Sequence, residues 1–303
     1  MVQSYGPKSA RSNISSPHGS VLARSRLRLR KVTAVDRAVR RKKPVVLVGV
    51  SMNETSKIAL RRADALARIM GARIVVAHIL ERLPASRFRH AAADPGARHA
   101  LASRRIGEWC RNVLGTTRRG PEIIVRDGRV SSGILSIASE QRAVLVVIGA
   151  RAQQFVAPRL LRESGSPILV ARPPRPCGGI VAATDLADDT YPVLRRAAMF
   201  GERLGVPVTF VTNVGDSAAP RFDERRALLR AIAQSVGDGI DSKIVQTRRS
   251  VDAILDAART DDVDLVFVGA RRALSAPEPG TADAVVGEAR RSVLVVPLEP
   301  TPG

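Results

Sequence analysis

The residues best suited to holding a ligand lie between Val263 and Val296. A compact apolar run, Val263-Asp264-Leu265-Val266-Phe267-Val268, stops on Gly269. A polar loop then reaches Gly280-Thr281, and a short helical pattern leads into Val293-Leu294-Val295-Val296. An apolar run of β-forming residues that stops on glycine and enters a loop is how a parallel α/β sheet presents its carboxyl edge, where ligands bind. Gly269 reads equally well as a strand-to-loop turn, and Thr281 before Ala282-Asp283-Ala284-Val285-Val286 as a helix N-cap. These residue types offer binding rather than bond-breaking. The chain has no Gly-x-Ser-x-Gly elbow, no Gly-x-x-x-x-Gly-Lys-Ser/Thr loop and no His-Glu-x-x-His. Its histidines are His18, His78, His90 and His99, so the carboxyl half has no imidazole to act as a base. His78, on an apolar strand, reads as a packed side chain. Cys110 and Cys177 have no metal-ligand spacing, and no metal site is expected.

The elements that would position this stretch occur twice. Ala143-Val144-Leu145-Val146-Val147-Ile148 also stops on a glycine, Gly149, and is followed by a loop and Pro167-Ile168-Leu169-Val170. Upstream of it, Val45 to Val50 reads as a buried strand closed by Ser51. Asn53 or Thr55 can cap a helix through Met70, and Arg73 to Leu80 reads as a second strand. The pattern is lost from Glu81 to about Pro95. It resumes with a helix from Ala97 to Leu114, a strand at Glu122-Ile123-Ile124-Val125 and a short helix from Gly133 to Ala138. Pro173 to Gly178 is a linker by composition. The order then repeats: a strand from Gly179 to Thr184 ending on Asp185, a helix from Asp188 to Leu204, a strand from Pro207 to Val214, a helix from Arg221 to Val236, a strand from Lys243 to Thr247 and a helix from Val251 to Ala258. Alternation of this kind predicts an α/β protein of two tandem domains, each a parallel sheet wound on both faces. The expected boundaries are 44–172 and 179–299, joined by 173–178.

Composition agrees with such a fold. Of 303 residues 45% are apolar and only 3% aromatic, which suits buried Val/Ile/Leu strands under alanine-rich helices. The formal charge is +21, but residues 1–43 hold twelve Lys or Arg against the single acid Asp36. That segment is expected to be a disordered basic tail, unable to bury enough apolar surface to fold alone. On charge the tail suits a nucleic-acid or membrane-surface adaptor, the alternative reading, but no aromatic residues interleave with the basic ones and it is not favoured. No apolar run reaches the length of a membrane span, and no export signal follows Met1, so the chain reads as cytoplasmic.

Each half resembles a universal stress protein domain. The resemblance rests on a first strand ending in a small or acidic residue, the Val75-Val76-Ala77-His78 strand, the Ile134-Leu135-x-x-Ala138 helix, the Val147-Ile148-Gly149 and Val266-Phe267-Val268-Gly269 strand ends, and the closing strands Ile168-Leu169-Val170 and Val293-Leu294-Val295. It spans about residues 44 to 299 in tandem. It implies adenine nucleotide alpha hydrolase-like domains, pairing through their last strands, within one chain or in a homodimer, and a stress-responsive role. In some members it implies ATP at the carboxyl edge. There the family pattern is an acid ending the first strand, Gly-x-x-Gly after the fourth, and Gly followed by Ser or Thr at a helix start, so that backbone and helix amides meet phosphates. In the second half Asp185 stands at the acid position, Gly269 at the first glycine, and Gly280 and Thr281 at the last pair. Arg272 replaces the second glycine, and Pro277 and Pro279 sit in the shortened loop. In the first half Ser51 replaces the acid, Ala152 replaces the second glycine and no Gly-Ser or Gly-Thr pair stands where the phosphate turn would be, so that half is expected to have lost the nucleotide. Arg271 and Arg272 read either as phosphate contacts or as solvated loop residues, and Asp185 either as a ligand or as a helix cap.

The expectation is a non-enzymatic tandem stress protein that acts by binding and signalling through an unidentified protein partner. It has no certain cofactor and at most weak ATP binding in the second half. An ATP-binding regulatory switch through Asp185, Gly269, Gly280 and Thr281 is the alternative.

Overall fold

The computed structural model describes residues 43–81, 94–115, 120–187, 190–215, 222–260, 262–271 and 280–298. Almost all of the expected basic tail, and the loop carrying Arg272, Pro277 and Pro279, lie outside them.

The first half runs β1 (Val45–Gly49), α1 (Glu54–Ile69), β2 (Arg73–Leu80), α2 (Pro95–Leu114), β3 (Glu122–Asp127), α3 (Val130–Glu140), β4 (Ala143–Gly149), a 3-10 turn (Ala150–Gln153), α4 (Ala157–Glu163) and β5 (Ile168–Ala171). The second repeats it as β6 (Gly179–Ala183), α5 (Pro192–Leu204), β7 (Val208–Asn213), α6 (Phe222–Val236), β8 (Asp241–Val245), α7 (Ser250–Ala257), β9 (Val263–Arg271), α8 (Thr281–Glu288) and β10 (Ser292–Leu298). Local sequence explains the elements. In α1 the buried Ala59, Leu60, Ala63, Leu66 and Ala67 fall on one helical stripe, and Asn53 caps the start by accepting from the Ser56 amide at 2.9 Å.

All ten strands form one sheet in the order β3-β2-β1-β4-β5-β10-β9-β6-β7-β8. Every neighbouring pair is parallel except β5 and β10, which are antiparallel with Val170 opposite Val293 and Ile168 opposite Val295. The two halves are therefore joined within one chain about a pseudo-twofold through this seam. One geometric consequence governs the site: an antiparallel seam sets the amino edge of one half beside the carboxyl edge of the other.

Helices cover both faces, and each core runs across the seam. One contains Ile134, Leu160, Ile254 and Val285 from α3, α4, α7 and α8. The other contains Leu60, Ile106, Phe200 and Leu229 from α1, α2, α5 and α6. Here Phe200 meets Phe267 edge to face, with centroids 5.5 Å apart.

Several expected boundaries move. Helix α5 begins at Pro192 instead of Asp188, because Pro192 supplies a first-turn φ already suited to a helix and Tyr191 before it is left-handed. Strand β8 lies two residues earlier than expected. Strand β9 does not stop on Gly269. It continues through Ala270 and Arg271, which pair with Pro297 and Leu298 of β10.

Candidate functional site

A cleft of about 400 Å³ opens at the carboxyl edge of the second half. Strands β6 and β9 bring Ala183, Thr184, Asp185, Val268, Gly269 and Arg271 to it, the start of α8 brings Gly280 to Asp283, and the start of α5 brings Tyr191 to Leu194. The fold thus gathers four of the five residues expected from sequence: Asp185, Gly269, Gly280 and Thr281. The fifth, Arg272, lies outside the described residues. The lining is mainly apolar, with Val193, Val211, Ile254 and Leu298 facing a few polar groups, the usual make-up of a small-molecule site.

The polar groups differ from expectation in detail. Asp185 does not cap a helix. Its carboxylate accepts from the amide of Ala187 at 3.0 Å and pairs with Arg271 at 3.3 Å, both side chains being substantially exposed. Arg271 is thus turned toward an acid at the cleft rather than merely solvated. Thr281 is not the N-cap of α8. That position belongs to Gly280, with φ −77° and ψ 175°, an extended conformation open to any residue. The cap is supplied by Asp283, whose Oδ2 accepts from the Gly280 amide at 3.0 Å, while its Oδ1 is buried and has no hydrogen-bond partner among the described residues. Sequence reading missed Asp283 as a site residue, although an acid in a helix's first turn is the signal of such a cap.

Gly269 leaves little space above it. A Cβ there would stand 2.7 Å from Leu298 Cδ1 and 3.2 Å from Val193 Cγ2. Because β9 and β10 pair beyond Gly269, Leu298 is carried over the position where the backbone would otherwise be bare.

The first half is built differently. Ser51, at the position of Asp185, is tied into a local network: its amide donates to Ser56 Oγ at 3.0 Å and its hydroxyl accepts from Asn53 Nδ2 at 2.9 Å. A Cβ on Gly149 would lie 2.7 Å from the Thr55 carbonyl oxygen, so this glycine admits the start of α1. His78 Nδ1 donates to the Val50 carbonyl at 2.9 Å, and Thr212, its counterpart, donates to Thr184 O at 2.8 Å. The same strand-to-strand tie recurs in both halves with different side chains, which makes His78 a structural donor.

Among the described residues no group of three or more His, Cys, Asp or Glu is placed to hold a metal ion, and no helix is long and apolar enough to cross a membrane.

Comparison with known proteins places these features. The model of the universal stress protein family matches residues 44–171 and again 178–297. No curated protein matches the sequence. Among solved structures, a universal stress protein from Archaeoglobus fulgidus DSM 4304 is 12% identical, covering 83% of this chain and 97% of its own, with a TM-score of 0.63. A functionally unknown protein from Pseudomonas aeruginosa PAO1 is 17% identical, covering 84% and 92%, with a TM-score of 0.57. At these identities the likeness is one of fold.

Proposed function

The chain belongs to the universal stress protein family as a tandem member, and on that premise we propose that it acts in the stress response by binding rather than catalysis, with weak adenine-nucleotide binding confined to the second domain. The domains are read as 44–172 and 179–299, the first with a degenerate site. The observation that carries this reading is the convergence of Asp185, Gly269, Gly280 and Thr281 on one apolar cleft at the carboxyl edge of the second half. Its walls suit a flat heterocycle and a sugar.

The weakness of binding follows from the phosphate end. A free helix N-terminus stabilises an anion by about 0.3–1 kcal/mol, rising to about 2 in favourable partly buried settings. At α8 the Asp283 carboxylate already accepts from the Gly280 amide. Two like unit charges about 4 Å apart repel by about 4 kcal/mol at an effective dielectric of 20. The repulsion is the larger effect, so the helix start fits a phosphate chain poorly. In the first half Thr55 crowds Gly149 and Ser51 replaces the acid, which supports the loss of that site.

Titration calorimetry of the full chain with ATP, ADP and AMP tests the proposal. Binding with a stoichiometry near one, lost in Gly280→Val and weakened in Asp185→Ala, is the expected result. Steady turnover of a nucleotide, or two equivalent sites per chain, would overturn it.

A further inference from the structure

The second domain's cleft is not built by that domain alone. Arg162 lies near the end of α4 in the first half, yet it lines the cleft beside Asp185, Arg271 and Asp283. The seam explains how. Helix α4 runs back along the first half toward that half's amino edge, and the antiparallel β5–β10 pair sets this edge against the carboxyl edge of the second half. The duplicated helix does not repeat this side chain. Aligning the closing helices, Glu163 with Glu288, puts Gly287 at the position of Arg162.

The charges of the cleft give this asymmetry a chemical meaning. Asp185 is paired with Arg271. Asp283 holds the amide where a helix-bound phosphate would sit. Arg162 is exposed and engages no acid among the described residues, so it is the cation at the cleft whose charge is uncommitted there. Its guanidinium offers several donors to a phosphate oxygen set.

We propose that Arg162 of the first domain completes the second domain's cleft and holds the phosphate of a nucleoside monophosphate, making the site a joint product of both domains. The inference rests on the nucleotide reading above and adds to it where the anion goes: to a side chain across the seam, away from the start of α8. One phosphate satisfies one guanidinium, so extending the phosphate chain gains nothing further.

The test is calorimetric titration of AMP and adenosine into the full chain and into Arg162→Gln and Arg162→Lys, at low and moderate salt. The wild-type chain is expected to prefer AMP over adenosine by about three- to tenfold, the worth of one screened charge-assisted hydrogen bond. In Arg162→Gln the preference disappears while adenosine affinity is unchanged. In Arg162→Lys part of it returns, and salt erodes it. Arg162 is exposed, so neither substitution threatens folding. An unchanged AMP preference in Arg162→Gln overturns this inference and leaves the nucleotide reading standing. Absence of binding by both AMP and adenosine overturns the nucleotide reading, and the inference with it.

Discussion

Arg62 and Asp264, 202 residues apart, form a bidentate ion pair across the seam, with Nη1–Oδ2 and Nη2–Oδ1 distances of 2.5 and 2.6 Å. Arg62 lies on α1 and Asp264 on β9, and their side chains are 13% and 14% exposed. Around them Arg62 also donates to Ser292 Oγ at 3.0 Å, and Asp264 accepts from the Arg175 amide at 2.7 Å. A largely buried pair costs much to desolvate, so its loss is felt chiefly when one partner is left alone. Asp264→Ala or Arg62→Ala is expected to destabilise the protein by about 3–5 kcal/mol. The double replacement Arg62→Met/Asp264→Leu should recover most of that. Urea unfolding monitored by circular dichroism measures both, and equal losses in single and double variants would contradict the account.

The two edge glycines should behave oppositely. Gly149→Ala places a Cβ 2.7 Å from the Thr55 carbonyl oxygen, a backbone atom that cannot rotate away. A loss of about 1–3 kcal/mol is expected from such overpacking. At Gly280 the nearest atom to a new Cβ is Asp283 Oδ2 at 3.7 Å and φ is −77°. Gly280→Ala should therefore change stability by no more than about 0.5 kcal/mol. Thermal unfolding of the two variants side by side decides the matter.

Asp283→Ala exposes the start of α8. Removing the cap is expected to lower stability by about 1 kcal/mol. Relieving the carboxylate should also raise ATP affinity by at least about fivefold, or roughly 1 kcal/mol, the part of the repulsion that survives solvent screening. Calorimetry checks the second effect; a fall in ATP affinity would mean that Asp283 does not oppose the phosphates.

Acid should weaken the first half before it unfolds the core. Hydrogen bonds from Arg126 and then Ser136 hold the Glu140 carboxyl at about 2, and the bond to His99, with Arg98 nearby, lowers Asp127. Both groups have folded pKa values below the ordinary carboxylate range of roughly 4. Their contribution is therefore present above about pH 5 and is lost as pH falls toward 2. The urea midpoint should drop over that range, and Glu140→Gln with Asp127→Asn should flatten the drop.

The thiols should separate kinetically. Burial pushes the Cys110 thiol up to about 11, while Cys177 is exposed. At pH 8 one thiol should react promptly with a disulfide reagent and the other only on unfolding, because the thiolate is the nucleophile. Mass mapping of the labelled peptide identifies which.

Much of the molecule is legible in the chain because its signals are local. Apolar runs such as Val45 to Val48 and helical spacing such as Leu60, Ala63, Ala67 report burial through near neighbours, and glycine-ended runs mark the carboxyl edge. That was enough to give two α/β halves and to single out Asp185, Gly269, Gly280 and Thr281, which the fold gathers at one cleft. It missed the extension of β9, since whether Gly269 ends a strand depends on Pro297 and Leu298 alongside it. It also missed the true start of α5, which Pro192 sets.

Taken alone, the sequence determined the duplicated unit and which residues end the strands at the second half's carboxyl edge, because periodicity and turn chemistry act over a few residues. Only the tertiary structure decided that β5 meets β10 in opposite directions, that Arg162 consequently enters the other half's cleft, and that Asp283 holds the amide of Gly280. Those outcomes depend on hydrogen bonds and charges meeting across the fold or turning inward at a helix end, and spacing along the chain does not encode such meetings.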